Sequence, residues 1–211
     1  MTKKTRLEAY EALYLGGIDD NKELYEEITL DEEVKMKIFK AELDKIENKE
    51  IKEFTMKVLK EAPDYFWLFP YVGEYQEDNI DDKDNKVGGL VCHTKKVASL
   101  LDELIYLYNP NPTLHDIAMS AALIHDIFIY GKKANIEDFE VNDFHPLMVR
   151  QLIEEKELDS TIPAAIYKGI MECVENHLGR FSFNPEFEAK FGKPEFLLHQ
   201  ADYLAMLDLK Q

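Results

Sequence analysis

Cysteine is almost missing from this chain: Cys92 and Cys173 are the only two in 211 residues, and they form no CxxC pair. That argues against a disulfide framework and points to a reducing, cytoplasmic setting. Long apolar runs are missing as well, since no stretch approaches the ~20 apolar residues that a membrane span requires. The opening MTKKTRLEAYEAL has basic residues with no apolar run behind them, so a secretory signal is not expected. Positive charge is scarce, with 25 Lys and Arg against 42 Asp and Glu, a formal net charge of −17. Such a balance weighs against broad binding to a nucleic-acid backbone, duplex nucleic acid above all. It leaves a small phosphorylated substrate open, because bound divalent cations would invert the field locally. There is no convincing strand alternation and no internal repeat, and no Ser or Cys sits in a recognisable nucleophile setting.

What is present reads as helix. With 45% hydrophobic and 32% charged residues, the chain has an ordinary globular composition. Its length suits one larger domain, or one domain with an appendage. Residues 1–60 place Leu7, Tyr10, Leu13 and Tyr14, then Val34, Ile38 and Ala41, then Ile51, Phe54 and Val58 at roughly helical spacing. This predicts two or three helices, the first ended by Gly16-Gly17. Nothing in them has ligand or nucleophile spacing, so this N-terminal extension reads as a helical cap or a dimerisation element, the latter implying a homodimer. Pro63 and Pro70 then bracket Tyr65, Phe66, Trp67 and Phe69, with Tyr71 and Tyr75 following. Core packing is the leading reading of these rings, and stacking on a base the alternative. An acidic, turn-rich loop covers about 74–89 and lacks the spacing of a calcium-binding EF-hand.

From Leu90 onward the pattern is almost wholly helical. Thr113 and Asp116 have capping-box spacing, Asn142 or Asp143 suits the cap of a helix running to Glu155, and Pro163 and Pro194 suit helix starts, the last helix reaching about Leu209. An all-α fold follows. On these helices several polar residues share a face with apolar ones. His93 goes with Val97, Leu100 and Leu104; His125 with Ala118, Ala121 and Ala122; His145 with Val149 and Leu152. His177 goes with Cys173, Ile170 and Ile166, and Asp202 with Leu198, Ala205 and Met206. Five helices that each turn a polar group inward are most simply satisfied if the groups meet at a cation. His115 is expected in an exposed first turn, and His199, three residues before Asp202, beside the site.

The segments GGLVCHTKKVA, AALIHDIFIYG, HPLMVRQLI, ENHLGRF and HQADYLA resemble, in order, the signature segments of the HD (histidine–aspartate) superfamily of metal-dependent phosphohydrolases, over roughly residues 65–211. The resemblance implies an HD-domain helical bundle over 61–211 behind the extension. It implies His93, His125, Asp126 and Asp202 as ligands of a first metal. His145 and His177 would add a second, with Asp126 bridging and with His125 and Asp126 as the catalytic pair. The cofactor would be one or two divalent ions, Mn, Fe, Co, Ni or Zn, which the mixed imidazole and carboxylate donors do not distinguish. Such ions activate a water and clamp the attacked phosphoryl oxygen.

Arg180, three residues after His177, is the leading candidate to hold a substrate phosphate. Lys96, Lys132 and Lys133 are further candidates, as are Lys95 and Arg150. One departure stands out: many members of the superfamily have a lysine three residues after the aspartate of the His-Asp pair, where this chain has Ile129. The expected substrate is a nucleotide or another small phosphoester. Two other readings accompany it, a di-iron oxygenase using the same ligands and a non-catalytic binding protein on the same scaffold.

Overall fold

The computed structural model describes residues 32–71, 87–135, 139–182 and 190–207. Among these are nine α-helices, two short 3-10 turns and no strand, so the fold is all-α. The helices are α1 (Glu32–Ile38), α2 (Lys40–Leu43), α3 (Lys49–Lys60), α4 (Asp64–Leu68), α5 (Gly89–Tyr108), α6 (Pro112–Ile124), α7 (His145–Glu155), α8 (Ala164–Asn176) and α9 (Pro194–Met206). The helix expected over Leu7–Tyr14, with its Gly16-Gly17 stop, and residues 74–86 of the acidic loop lie outside the described residues.

α6 is the centre. Every residue from Asp116 to Ile124 on it is buried, the signature of a helix enclosed on all sides. α5, α8, α3 and α9 all pack on it. Ala118, Ser120, Ala121 and Ala122 keep its girth small, and from α8 Gly169 approaches so closely that a Cβ there would meet Ile117 at 3.3 Å. Ser120 and Thr55 of α3 share a buried hydroxyl hydrogen bond of 2.7 Å. α9 lies along α5, at 20 residues the longest helix among the described residues.

The helix starts follow the cap chemistry only in part, and α7 begins after Phe144 with no side-chain cap, where Asn142 or Asp143 was expected. Asn48 Oδ1 accepts from the amides of Glu50 and Ile51 to start α3. For α6 the cap is Asn111, whose Oδ1 accepts from Thr113 and Leu114, rather than Thr113. A residue before proline is pushed toward extended backbone, which is what an N-cap needs, and Asn111 has φ −102° and ψ 118° ahead of Pro112. Asp116 is not in a capping box either. It is buried, and its carboxylate accepts from the amides of Glu47 and Asn48 at 3.2 and 2.7 Å, tying the turn before α3 to α6. His115 is half-buried rather than exposed, bridging Asp102 and Asp116 at 3.0 and 3.2 Å.

Ile51, Phe54 and Val58 of α3 face the core as their spacing predicts, but Ala41 is exposed. The chain leaves helical geometry at Phe39, so a new register begins there and Phe39, Leu43 and Ile46 become the buried set. The aromatic stretch is core: Tyr65, Phe66, Trp67, Phe69 and Tyr71 are all buried. α9 ends at Met206, short of Leu209. No helix among the described residues is long and apolar enough to cross a membrane.

Candidate metal centre

Helix ends place most of the site. His125 caps the C-terminus of α6 with Asp126 in the turn that follows, His145 opens α7, and His177 caps the C-terminus of α8. His93 lies within α5 and Asp202 within α9. All six are buried, the four histidines to 1% exposure or less.

They meet as two groups that share one residue. Ligand-capable atoms of His93, His125, Asp126 and Asp202 lie within 4.8 Å of one another, and so do those of Asp126, His145 and His177. The two oxygens of Asp126 divide between them. Oδ2 lies 3.3 Å from His125 Nε2 and 3.9 Å from His93 Nε2. Oδ1 lies 3.1 Å from His145 Nε2 and 3.5 Å from His177 Nε2. Asp202 Oδ1 closes the first group, 2.9 Å from His93 Nε2 and 3.6 Å from His125 Nε2.

The ring nitrogens turned away from the cluster determine which atoms face into it. Nδ1 of His125, His145 and His177 lies 2.8, 2.7 and 2.6 Å from the backbone carbonyls of Ala122, Asn142 and Val174, each three residues earlier. A carbonyl only accepts, so each Nδ1 donates and each neutral ring presents an Nε2 lone pair to the cluster. His145 Nε2 and His177 Nε2 are 3.1 Å apart. Two lone pairs at that distance repel unless a proton or a cation sits against them. His125 Nε2 and Asp126 Oδ1 have no partner of hydrogen-bond geometry, and neither does His93 Nδ1. Each orphaned buried polar atom costs about 1–3 kcal/mol, so three consume a sizeable part of a typical stability of about 5–15 kcal/mol. As a stabilising network the cluster is poor. As a donor set for cations it fits, with imidazole rings held by carbonyl acceptors in the manner of metal-ligating histidines.

Charge follows from burial and proximity. Burial alone would lower the pKa of His125, but the Asp126 and Asp202 carboxylates outweigh it and hold this imidazole well above its ordinary value. Burial, helped by the neighbouring His125, pushes His177 below the usual histidine range despite Asp126. Against the penalty of burial, His125, His145 and His177 hold Asp126 well below the usual carboxylate range, and His125 and His93 do the same for Asp202.

Around the cluster stand residues that local sequence spacing does not single out. The Tyr71 ring stacks flat on His93, centroids 3.7 Å apart at 4°. This ring takes the place of the carbonyl that orients each of the other three imidazoles. The Tyr65 hydroxyl donates to the Gly131 carbonyl at 2.7 Å, pinning the turn that carries His125 and Asp126. Asn142 bonds through its own amide to Ile129 and through its carbonyl to His145, and its side chain accepts from Phe144. His199 stands beside the site as its spacing suggests, with Nδ1 2.7 Å from the His177 carbonyl.

The proposed substrate cations are placed differently. Lys132 pairs with Glu155 at 3.4 Å, Lys95 with Glu42 at 3.1 Å, and Arg150 with Glu175. Lys96 is half-buried on α5. Arg180 is exposed and lies over the Phe181 ring at 4.8 Å. Lys133 is exposed as well, and Ile129 is buried at 1% exposure in the core.

No family model, curated protein or solved structure matches this chain. Fold and site therefore define its class by themselves: an all-α protein with two overlapping, buried His/Asp groups that could hold metal ions.

Proposed function

We propose that this protein is a metal-dependent phosphohydrolase of the HD type, acting on a nucleotide or another small phosphoester through a binuclear centre. The observation that carries the reading is the division of Asp126, one oxygen toward His93 and His125 and the other toward His145 and His177. A carboxylate so placed between two donor groups is built to bridge two cations. His93, His125 and Asp202 would complete one subsite, and His145 and His177 the other.

Two divalent ions held there would acidify a water between them and withdraw charge from a phosphoryl oxygen. The protein's own residues hold that arrangement still. The carbonyls of Ala122, Asn142 and Val174 keep three imidazoles in the lone-pair-inward tautomer, and Tyr71 fixes the fourth. The two carboxylates contribute two negative charges against four from a pair of divalent cations, so the loaded site is cationic within an acidic chain. Among the described residues Arg180 and Lys133 form no ion pair. Arg180, one turn beyond His177, is the phosphate partner in this reading, and its planar fork compensates for the missing charge at Ile129.

The test is hydrolysis of a phosphoester panel in Mn²⁺, run beside an Asp126→Ala control. The panel covers nucleoside mono-, di- and triphosphates, a cyclic dinucleotide, a dinucleoside polyphosphate and short single-stranded RNA. Turnover of at least one class, falling to background in the control, is expected. Metal-loaded protein inert toward the whole panel, or turnover unchanged in Asp126→Ala, would contradict the reading.

A further inference from the structure

His199 and Asp202 lie three residues apart on α9 and so project from one face of it. Asp202 belongs to the first group, with Oδ1 2.9 Å from His93 Nε2. His199 reaches the second group by another route, its Nδ1 lying 2.7 Å from the backbone carbonyl of His177. That carbonyl sits at the C-cap of α8, among the last carbonyls of a helix, which have no partner within it. It only accepts, so His199 donates. The His177 ring is held by the Val174 carbonyl at 2.6 Å, and its main chain is held by His199.

Gly179 makes room for this contact. Its φ is +60°, and a Cβ built on it would fall 2.5 Å from Nε2 and 2.6 Å from Cε1 of His199. Real Cβ atoms do not approach that closely, and a side chain at that φ is strained in any case. A glycine here lets the imidazole lie against the main chain just past His177. One turn of α9 therefore carries a ligand of the first group and the clamp on a ligand of the second.

We propose that His199, seated on Gly179, is a positioning residue that sets the second metal subsite relative to the first. It touches no ligand atom. It holds the C-terminal end of α8 against α9, so that His177 Nε2 stays 3.5 Å from Asp126 Oδ1. Without the donor, the end of α8 is released and the second cation is held more weakly. The first keeps all four of its ligands, none of which depends on that contact. This inference rests on the binuclear reading above.

The experiment is Mn²⁺ titration of the metal-stripped full chain by calorimetry, with manganese paramagnetic resonance as an independent readout of paired ions. The wild-type chain takes up two equivalents. His199→Leu keeps the first within about twofold and weakens the second by about 10–100-fold, the usual effect of losing a residue that orients a ligand. His199→Asn, whose amide nitrogen stands close to where Nδ1 stood, restores the second equivalent. Gly179→Ala, which displaces the imidazole but also strains the backbone at φ +60°, reproduces the leucine result, and His199→Ala decides the matter if His199→Leu does not fold by circular dichroism. Two wild-type equivalents with an unchanged second one in His199→Leu would overturn the positioning role alone. Equal weakening of both equivalents, or no rescue by asparagine, would also overturn it. A wild-type chain that binds no manganese would overturn the metal centre and this inference together.

Discussion

Asp126 serves two groups of histidines with one side chain, and no other residue in the cluster does so. Its removal should therefore abolish both bound equivalents, whereas His145→Ala should spare the first. Metal content of the two variants after dialysis distinguishes these outcomes. Tyr71 affords a subtler test, because a stacked ring rather than a backbone carbonyl backs His93. Tyr71→Phe should bind metal as the wild type does, and Tyr71→Leu should weaken the first equivalent by about 10–100-fold, both read by calorimetry. The cluster also sets a pH dependence for protein stripped of metal by a chelator. His125 is held above its ordinary value, so its contribution to stability is full below about pH 6.5 and is lost as pH rises through its folded value. Asp126 and Asp202 are held below theirs, so their contribution is present above about pH 3.9 and is lost as pH falls through their folded values. The urea midpoint of the stripped protein should pass through a maximum at mildly acidic to neutral pH. A midpoint still rising into the alkaline range would contradict this.

At the scale of elements, α6 sets the geometry by being thin enough for α3, α5, α8 and α9 to close around it. Asp116 anchors the turn before α3 through two backbone amides. Asp116→Ala should cost about 1–3 kcal/mol by removing a charged acceptor from two backbone amides, measured as a lower urea midpoint, with metal uptake unchanged because no site residue is touched. Much of the helical pattern was legible in the sequence. His93, His145, His177 and Asp202 interrupt apolar faces at helical spacing, and a polar residue among buried neighbours needs a partner. Tyr71 was not legible as part of the site, because it lies far from His93 in the chain and meets it only through tertiary packing. Asp116 misled because Thr113 and Asp116 mimic a capping box locally, while Asn111 and Pro112 determine where the helix starts. Ala41 misled for a related reason: a helical period carries across a break only if the register does, and Phe39 resets it.

For the whole molecule, an excess of 17 negative charges and a cationic loaded site are compatible, because the charges that matter to a small phosphoester are those within a few ångströms. Self-repulsion among the acidic groups also makes stability depend on bound cations. Each divalent ion that binds only the folded chain adds about 2.7 kcal/mol at a hundred times its dissociation constant, so manganese should raise the unfolding temperature by several degrees and a chelator should reverse it. Asp126→Ala should show neither effect. A binuclear centre is defined by the number of ions bound and by whether they are neighbours. Manganese titration followed by paramagnetic resonance measures both, and a centre bridged by Asp126 should take up two equivalents with the signature of exchange-coupled ions, lost in Asp126→Ala. A single uncoupled equivalent, or none, would contradict it.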